Sequence, residues 1–202
     1  MSFGNIRRMR QFKPETRRRK RRMKRPETLF FSPSEWVPNH PFLPVLAYRD
    51  IFHGRESDPA RAFERIFRDA LWQGLWRNGV FPYQHYHVGA HEVLGIAEGR
   101  AELLIGGPAG MILDVCSGDC LVLPAGTGHK RLSASADFLV VGGYPPGQHA
   151  DIQTAAATPR ELETIASLPI PTSDPVHGAN GPLVSLWREG GQLPGRETVE
   201  EP

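Results

Sequence analysis

Seven short apolar runs lie between residues 80 and 141, covering residues 80–88, 92–97, 101–105, 111–116, 120–123, 129–132 and 137–141. Glycine-bearing turns separate many of them: Glu98-Gly99, residues 106–110, Ser117-Gly118-Asp119 and residues 125–128. Runs this short and this close together cannot build a helical bundle; they predict a β-sandwich or barrel. The 21 glycines and 19 prolines fall largely as punctuation between such runs. Upstream, residues 28–31 and 44–48 read as further strands, and residues 33–44, with four prolines, as an extended segment wrapping the surface. Residues 183–187 read as an edge strand. Two helices are expected outside the β region. One starts at the Asp58 cap with Pro59 next, its apolar face formed by Ala60, Phe63, Ile66, Phe67, Ala70 and Leu71. The other starts at Thr158, where Pro159 and Glu161 complete a capping box.

Charge divides the chain. Residues 1–26 carry twelve Lys/Arg against Glu15 alone, so the net charge of +2 joins a tail of +11 to a body of −9. Like charges at that density repel, and too few apolar groups accompany them to offset chain entropy, which predicts a disordered tail. Translation beginning at Met23 would remove nearly all of it. Phe3 and Phe12 lie outside the densest basic run and offer little base stacking, so nucleic acid is expected to bind weakly at most. The expected organisation is a tail over residues 1–26, one domain over 27–190 and a flexible tail over 191–202. Two cysteines, Cys116 and Cys120, exclude a disulfide framework and a four-cysteine zinc site, and both are expected as small buried hydrophobes. No apolar run is long enough to span a membrane and none follows the basic segment as a secretory signal would, so the expected address is cytoplasmic. Hydrolytic triads, phosphate loops and dinucleotide fingerprints are absent.

Chemistry concentrates in residues 79–99 and 118–133. On a strand, His85 and His87 share a face, and two imidazoles on one face can hold a divalent ion. Glu92 has the wrong parity for that strand and joins only if Val88-Gly89-Ala90 turns into a neighbouring one; it then shares the inward face of Leu94 and Ile96. A carboxylate buried there needs a partner, and a metal is an economical one. An uninterrupted strand would instead aim His91 inward. His129 follows a glycine-rich corner and can project into the mouth of a barrel. Three imidazoles and one carboxylate suit Mn, Fe, Co, Ni or Zn and leave +1 on a divalent ion.

Gly79, His85, His87, Glu92 and Gly99 match the pattern G-x5-H-x-H-x4-E-x6-G, and Gly118, Pro124, Gly126 and His129 match G-x5-P-x-G-x2-H, with Ser133 where asparagine is usual. By these two motifs the chain resembles the cupin superfamily. His85-Tyr86-His87, residues 90–95, Gly128-His129-Lys130 and residues 141–148 resemble one group of single-domain bacterial cupins. The resemblance implies an antiparallel double-stranded β-helix, or jelly-roll, with flanking N- and C-terminal helices. It also implies one mononuclear divalent metal on His85, His87, Glu92 and His129. Reaction is not implied, because cupins host dioxygenases, isomerases, decarboxylases and binding proteins. Two readings follow: an enzyme acting on a small polar molecule, or a metal-dependent small-molecule sensor without turnover.

Tyr83 and His91 are the nominees for a catalytic base. Phe81 and Tyr83 share the face of His85 and could line the pocket beside the metal, with core packing the favoured reading for Phe81. Arg131 shares the parity of His129 and could anchor an anion, with a plain surface arginine as the alternative. Tyr144, Gln148 and Asp151 follow the last strong strand and could form a lip. Pairing through sheet edges predicts a homodimer.

Overall fold

The computed structural model describes residues 25–190, and the expectations for the N-terminal basic segment up to residue 24 and for residues 191–202 lie outside it. Within that span the chain is mostly antiparallel β-sheet with few helices. Its strands are β1 (Glu27–Leu29), β2 (Val45–Tyr48), β3 (Gln73–Asn78), β4 (Glu92–Glu98), β5 (Arg100–Ile105), β6 (Met111–Cys116), β7 (Cys120–Leu123), β8 (His129–Ala134) and β9 (Leu139–Tyr144). Its helices are α1 (Pro59–Asp69), α2 (Pro159–Ser167) and α3 (Pro182–Gly190). Six strands form one sheet in the order β1-β2-β7-β4-β9-β3, and three form another in the order β6-β5-β8.

Alternation along the strands makes two cores. Leu94 and Ile96 of β4, with Val45, Leu121, Leu123 and Val140, face Leu103, Ile105, Leu113 and Val115 of the smaller sheet. The alternate residues Val93, Ala97, Val122 and Val141 face the other way, against Phe63 and Phe67 of α1 and Leu183 and Trp187 of α3. The large sheet is therefore covered on both sides, which is why β2 and β7 are apolar at every position. Asp58 caps α1 by accepting the Arg61 N–H, and Thr158 and Glu161 close the capping box of α2. At the end of α1 the backbone turns left-handed at Leu71, which is 67% exposed and leaves the apolar face on which the helical period had placed it.

The structure departs from the sequence expectations at four points. Residues 80–88 do not form a strand: only isolated bridges pair His85 with His129 and Tyr86 with Gln153. Pro82 has no N–H to give a ladder, and the regular strand at this edge lies earlier, in β3. Residues 183–187 are helical, not a strand, because Leu183, Val184 and Trp187 recur at helical spacing and bury together. Residues 33–44 do more than wrap the surface: Val37, Asn39 and His40 are buried, and Asn39 donates to the Ser32 and Gly106 carbonyls while accepting the Gly128 N–H. Of the two thiols, Cys120 is buried and Cys116 is exposed, on the outer face of β6.

Candidate metal centre

His85 and His129 are joined through the backbone before their rings meet. Each donates its N–H to the carbonyl of the other, at 3.2 and 2.9 Å, which locks the 80–88 segment onto the head of β8. The Gly126 N–H donates to the His87 carbonyl at 2.7 Å, tying the glycine corner to the same segment. The three rings then converge: His85 and His129 centroids are 4.1 Å apart, and His87 lies 5.5 and 5.6 Å from them. One ring nitrogen of each falls within 4.8 Å of the others, all three residues being buried.

Glu92 enters from β4. The turn that makes this geometry available is held by Asp151, whose carboxylate accepts the Val88 and Gly89 N–H groups at 2.9 and 3.0 Å. Gly89 is required at this turn, since a Cβ there would stand 2.6 Å from the His149 carbonyl oxygen. Glu92 Oε2 lies 3.4 Å from His87 Nε2 and 3.3 Å from His129 Nε2. That Oε2 atom is buried and has no hydrogen-bond partner.

The other ends of the imidazoles explain that orphaned oxygen. His85 Nδ1 donates to the Tyr83 carbonyl at 3.1 Å, His129 Nδ1 to the Thr127 carbonyl at 3.0 Å, and His87 Nδ1 to the Asp151 carbonyl. A carbonyl oxygen only accepts, so each Nδ1 carries the hydrogen and each neutral ring offers a lone pair at Nε2. Three histidine lone pairs brought this close, with the carboxylate 3.4 and 3.3 Å from two of the rings, repel each other. A divalent cation between them satisfies all four, with the Nδ1 bonds as orienting contacts. In this respect the residues fit a metal.

Protonation follows the same geometry. Burial and the adjacent His129 lower the pKa of His85 to about 3. Burial works against a charged His87 as well, but the facing Glu92 and the Asp151 carbonyl outweigh it and raise His87 to about 9. Burial would lift Glu92, yet His87 and His129 hold it well below the usual carboxylate range. With no cation between them, a proton on His87 takes part of that role.

These four side chains line a cavity of about 250 Å³ with Trp76, Val80, Phe81, Leu94, Tyr144 and Ile152 among its other walls. Tyr144, expected near a lip, is a wall residue beside His87, and its hydroxyl accepts the Trp76 indole N–H at 2.9 Å. Trp76 was missed because β3 was missed. The signal that could have found it is the Gly142-Gly143 pair: a large aromatic crosses a strand where the partner has no side chain. A Cβ on Gly142 would stand 2.0 Å from the Trp76 ring. Burial and the charge of Glu92 push the Tyr144 pKa up to about 12, so it stays a hydrogen-bond donor.

The two nominated bases sit elsewhere. Tyr83 is 44% exposed, stacked on Phe81 at 4.9 Å outside the cavity wall. His91 is fully buried on the far side of β4, 4.8 Å from Trp187. Its Nδ1 accepts the Ala125 N–H and its own N–H donates to Gln148, so it clamps the corner that leads to His129. Phe81, expected in the core, is a partly exposed wall of the cavity. A larger, shallower groove of about 630 Å³ crosses the outer face of the three-stranded sheet beside Cys116, with no convergent ligand set among its residues.

No protein-family model matches the chain. Over 163 residues it is 39% identical to a Bacillus subtilis (strain 168) protein whose name reads "Uncharacterized protein YjlB", covering 80% of this chain and 96% of that protein. The chain belongs to the YjlB family. Among solved structures it is similar to the crystal structure of Escherichia coli ribosomal oxygenase YcfD, at 16% identity and a TM-score of 0.35. That likeness covers 61% of this chain and 45% of the oxygenase, so the chain spans less than half of its length. A superposition that loose carries no argument about activity. Within the YjlB family, this chain's case for a metal rests on its own side chains.

Proposed function

We propose that the chain is a metal-dependent cupin whose two sheets are the halves of a jelly-roll barrel. His85, His87, Glu92 and His129 hold one divalent transition metal (Mn, Fe, Co, Ni or Zn), and a small polar molecule binds beside it. The supporting observation is the set of three Nδ1–carbonyl bonds that leave a lone pair at each Nε2, beside a buried Glu92 Oε2 without a hydrogen-bond partner. Four protein ligands leave an octahedral ion open to a further ligand, as in sites that act rather than staple. When bound, the metal supplies Lewis acidity or a site for oxygen chemistry. The residues around it do the rest: Phe81, Leu94 and Ile152 exclude water, and Tyr144, steadied by Trp76, offers one hydroxyl to a ligand oxygen.

The leading reading is an enzyme of oxygenase, isomerase or decarboxylase type. One observation favours the second reading, a binding protein without turnover: neither Tyr83 nor His91 lines the cavity, which leaves Tyr144 as its titratable wall residue outside the ligand set. The reading includes a homodimer, supported by the exposed Met111 and Ile112 on the edge strand β6; light scattering is expected to give twice the 22.5 kDa chain mass. No helix among the described residues is long and apolar enough to cross a membrane.

Elemental analysis of the purified protein, beside Glu92→Ala, tests the metal. The wild type is expected to carry about one equivalent per chain, and the variant to bind at least about ten-fold more weakly. Oxygen uptake by the wild type that Glu92→Ala abolishes supports an oxygenase. Full metal content with no turnover of any kind supports the binding reading, and no metal in either protein refutes both.

A further inference from the structure

Beyond the ligand set, the chemistry of the molecule that fills the cavity can be read from charge. This inference rests on the metal reading above. Three neutral imidazoles and one carboxylate leave a divalent ion with a net charge of +1 in a buried, largely apolar chamber, and Glu92 is the one acidic residue on its wall. An uncompensated charge in such surroundings is costly, and an anionic ligand lowers the cost.

A second cation, Arg131, adjoins this chamber without being one of its wall residues. Arg131 lies two residues beyond His129 on β8, and it pairs in register with Leu103 as His129 pairs with Ile105. Leu103 and Ile105 are both core residues between the sheets, so Arg131 occupies the inner face. Its backbone N–H donates to the Phe81 carbonyl at 2.9 Å, which fixes it beside that cavity wall. Its guanidinium reaches Gly79, another wall residue: a Cβ there would stand 3.7 Å from Arg131 Nη1. The side chain is partly buried, and among the described residues it has no carboxylate within ion-pair distance. Arg49, Arg65, Arg68 and Arg77 have carboxylate partners, and other arginines without one, such as Arg55, Arg61 and Arg100, are exposed. An inward-facing, unpaired guanidinium matches the planar geometry of a carboxylate.

We infer that the cavity takes a small monocarboxylate carrying a second oxygen function, with Arg131 reading the carboxylate at the mouth and Tyr144 donating its hydroxyl to an oxygen deeper in. A volume of about 250 Å³ limits the ligand to a small metabolite, below the size of common drug-like ligands.

Lactate and lactamide, equal in shape and different by one charge, are the probes. The full chain is loaded with Co(II), its metal content measured, and each probe titrated while the visible spectrum of the bound ion is followed. Lactate is expected to shift the spectrum and to bind at least about ten-fold more tightly than lactamide. Arg131→Met is expected to erase that preference while metal content stays unchanged, and Arg131→Lys to restore part of it. Protein that takes up cobalt but binds both probes equally, or not at all, overturns this inference and leaves the metal reading standing. So does an Arg131→Met variant that keeps the full preference. Protein that takes up no cobalt overturns both.

Discussion

An imidazole that donates from Nδ1 to a carbonyl has one lone pair left, and His85, His87 and His129 all present it at Nε2. Adjacent residues divide the work at this point of β4. Glu92 turns inward to the cluster, whereas His91 turns outward, where it accepts the Ala125 N–H beneath Trp187. The two neighbours should therefore fail in opposite ways. His91→Ala leaves a cavity against Trp187 and an unpaired Ala125 N–H, so it is expected to cost about 2–4 kcal/mol in chemical denaturation while metal content holds. Glu92→Ala is expected to lose metal without a comparable loss of stability in the metal-free protein. Equal metal loss in the two variants would erase the distinction. Parity along the chain could pose this choice but not decide it alone, because the answer depends on where the backbone turns.

At the scale of elements, the site hangs on short irregular pieces that regular strands hold in place. Asp151 shows how. Its carboxylate staples the Val88-Gly89 turn, and its carbonyl orients His87. Asp151→Ala removes the acceptor for two N–H groups and is expected to cost about 1–3 kcal/mol, with weaker metal binding from a loosened His87. Asp151→Asn keeps an acceptor oxygen and should recover most of both, as thermal melts and metal titration would show. The sequence announced β4 to β9 and the starts of α1 and α2, since turn glycines, caps and alternation all agreed there. It hid β3, where Gly74 adopts a positive φ and the register shifts between Gln73 and Trp76, so no alternation survives to be read. It also disguised α3, whose short run of four apolar residues around Ser185 suits a strand as well as a buried helix. Its helical state is set by tertiary packing of Leu183, Val184 and Trp187. The four candidate ligands could be picked out from spacing; Trp76 and the role of the Asp151 carbonyl could not, because both depend on contacts between distant segments.

For the whole molecule, buried neutral histidines couple folding to pH. His40 Nδ1 accepts the Phe42 and Leu43 N–H groups, and burial lowers its pKa from 6.5 to about 4. Between those values the unfolded chain binds a proton that the folded chain refuses, so stability rises with pH across this window. The contribution is complete above about pH 6.5 and is lost as pH falls toward 4, up to about 3 kcal/mol for His40 alone. His91, lowered to about 3 by burial and by the neighbouring His40, acts in the same direction. Urea unfolding at pH 7.5 and pH 5 is expected to show the loss, and His40→Asn, which keeps an acceptor but cannot titrate, to show less of it. An equal slope in both proteins would remove His40 from the account.

The convergence of three histidine Nε2 atoms and one carboxylate on a single ion is the claim that the rest depends on. X-ray absorption at the metal edge of the loaded protein tests it most directly. The predicted spectrum shows about three imidazole ligands at roughly 2.1 Å with the remaining scatterers oxygen. A spectrum with one imidazole or none, or with sulfur at about 2.3 Å, would contradict it.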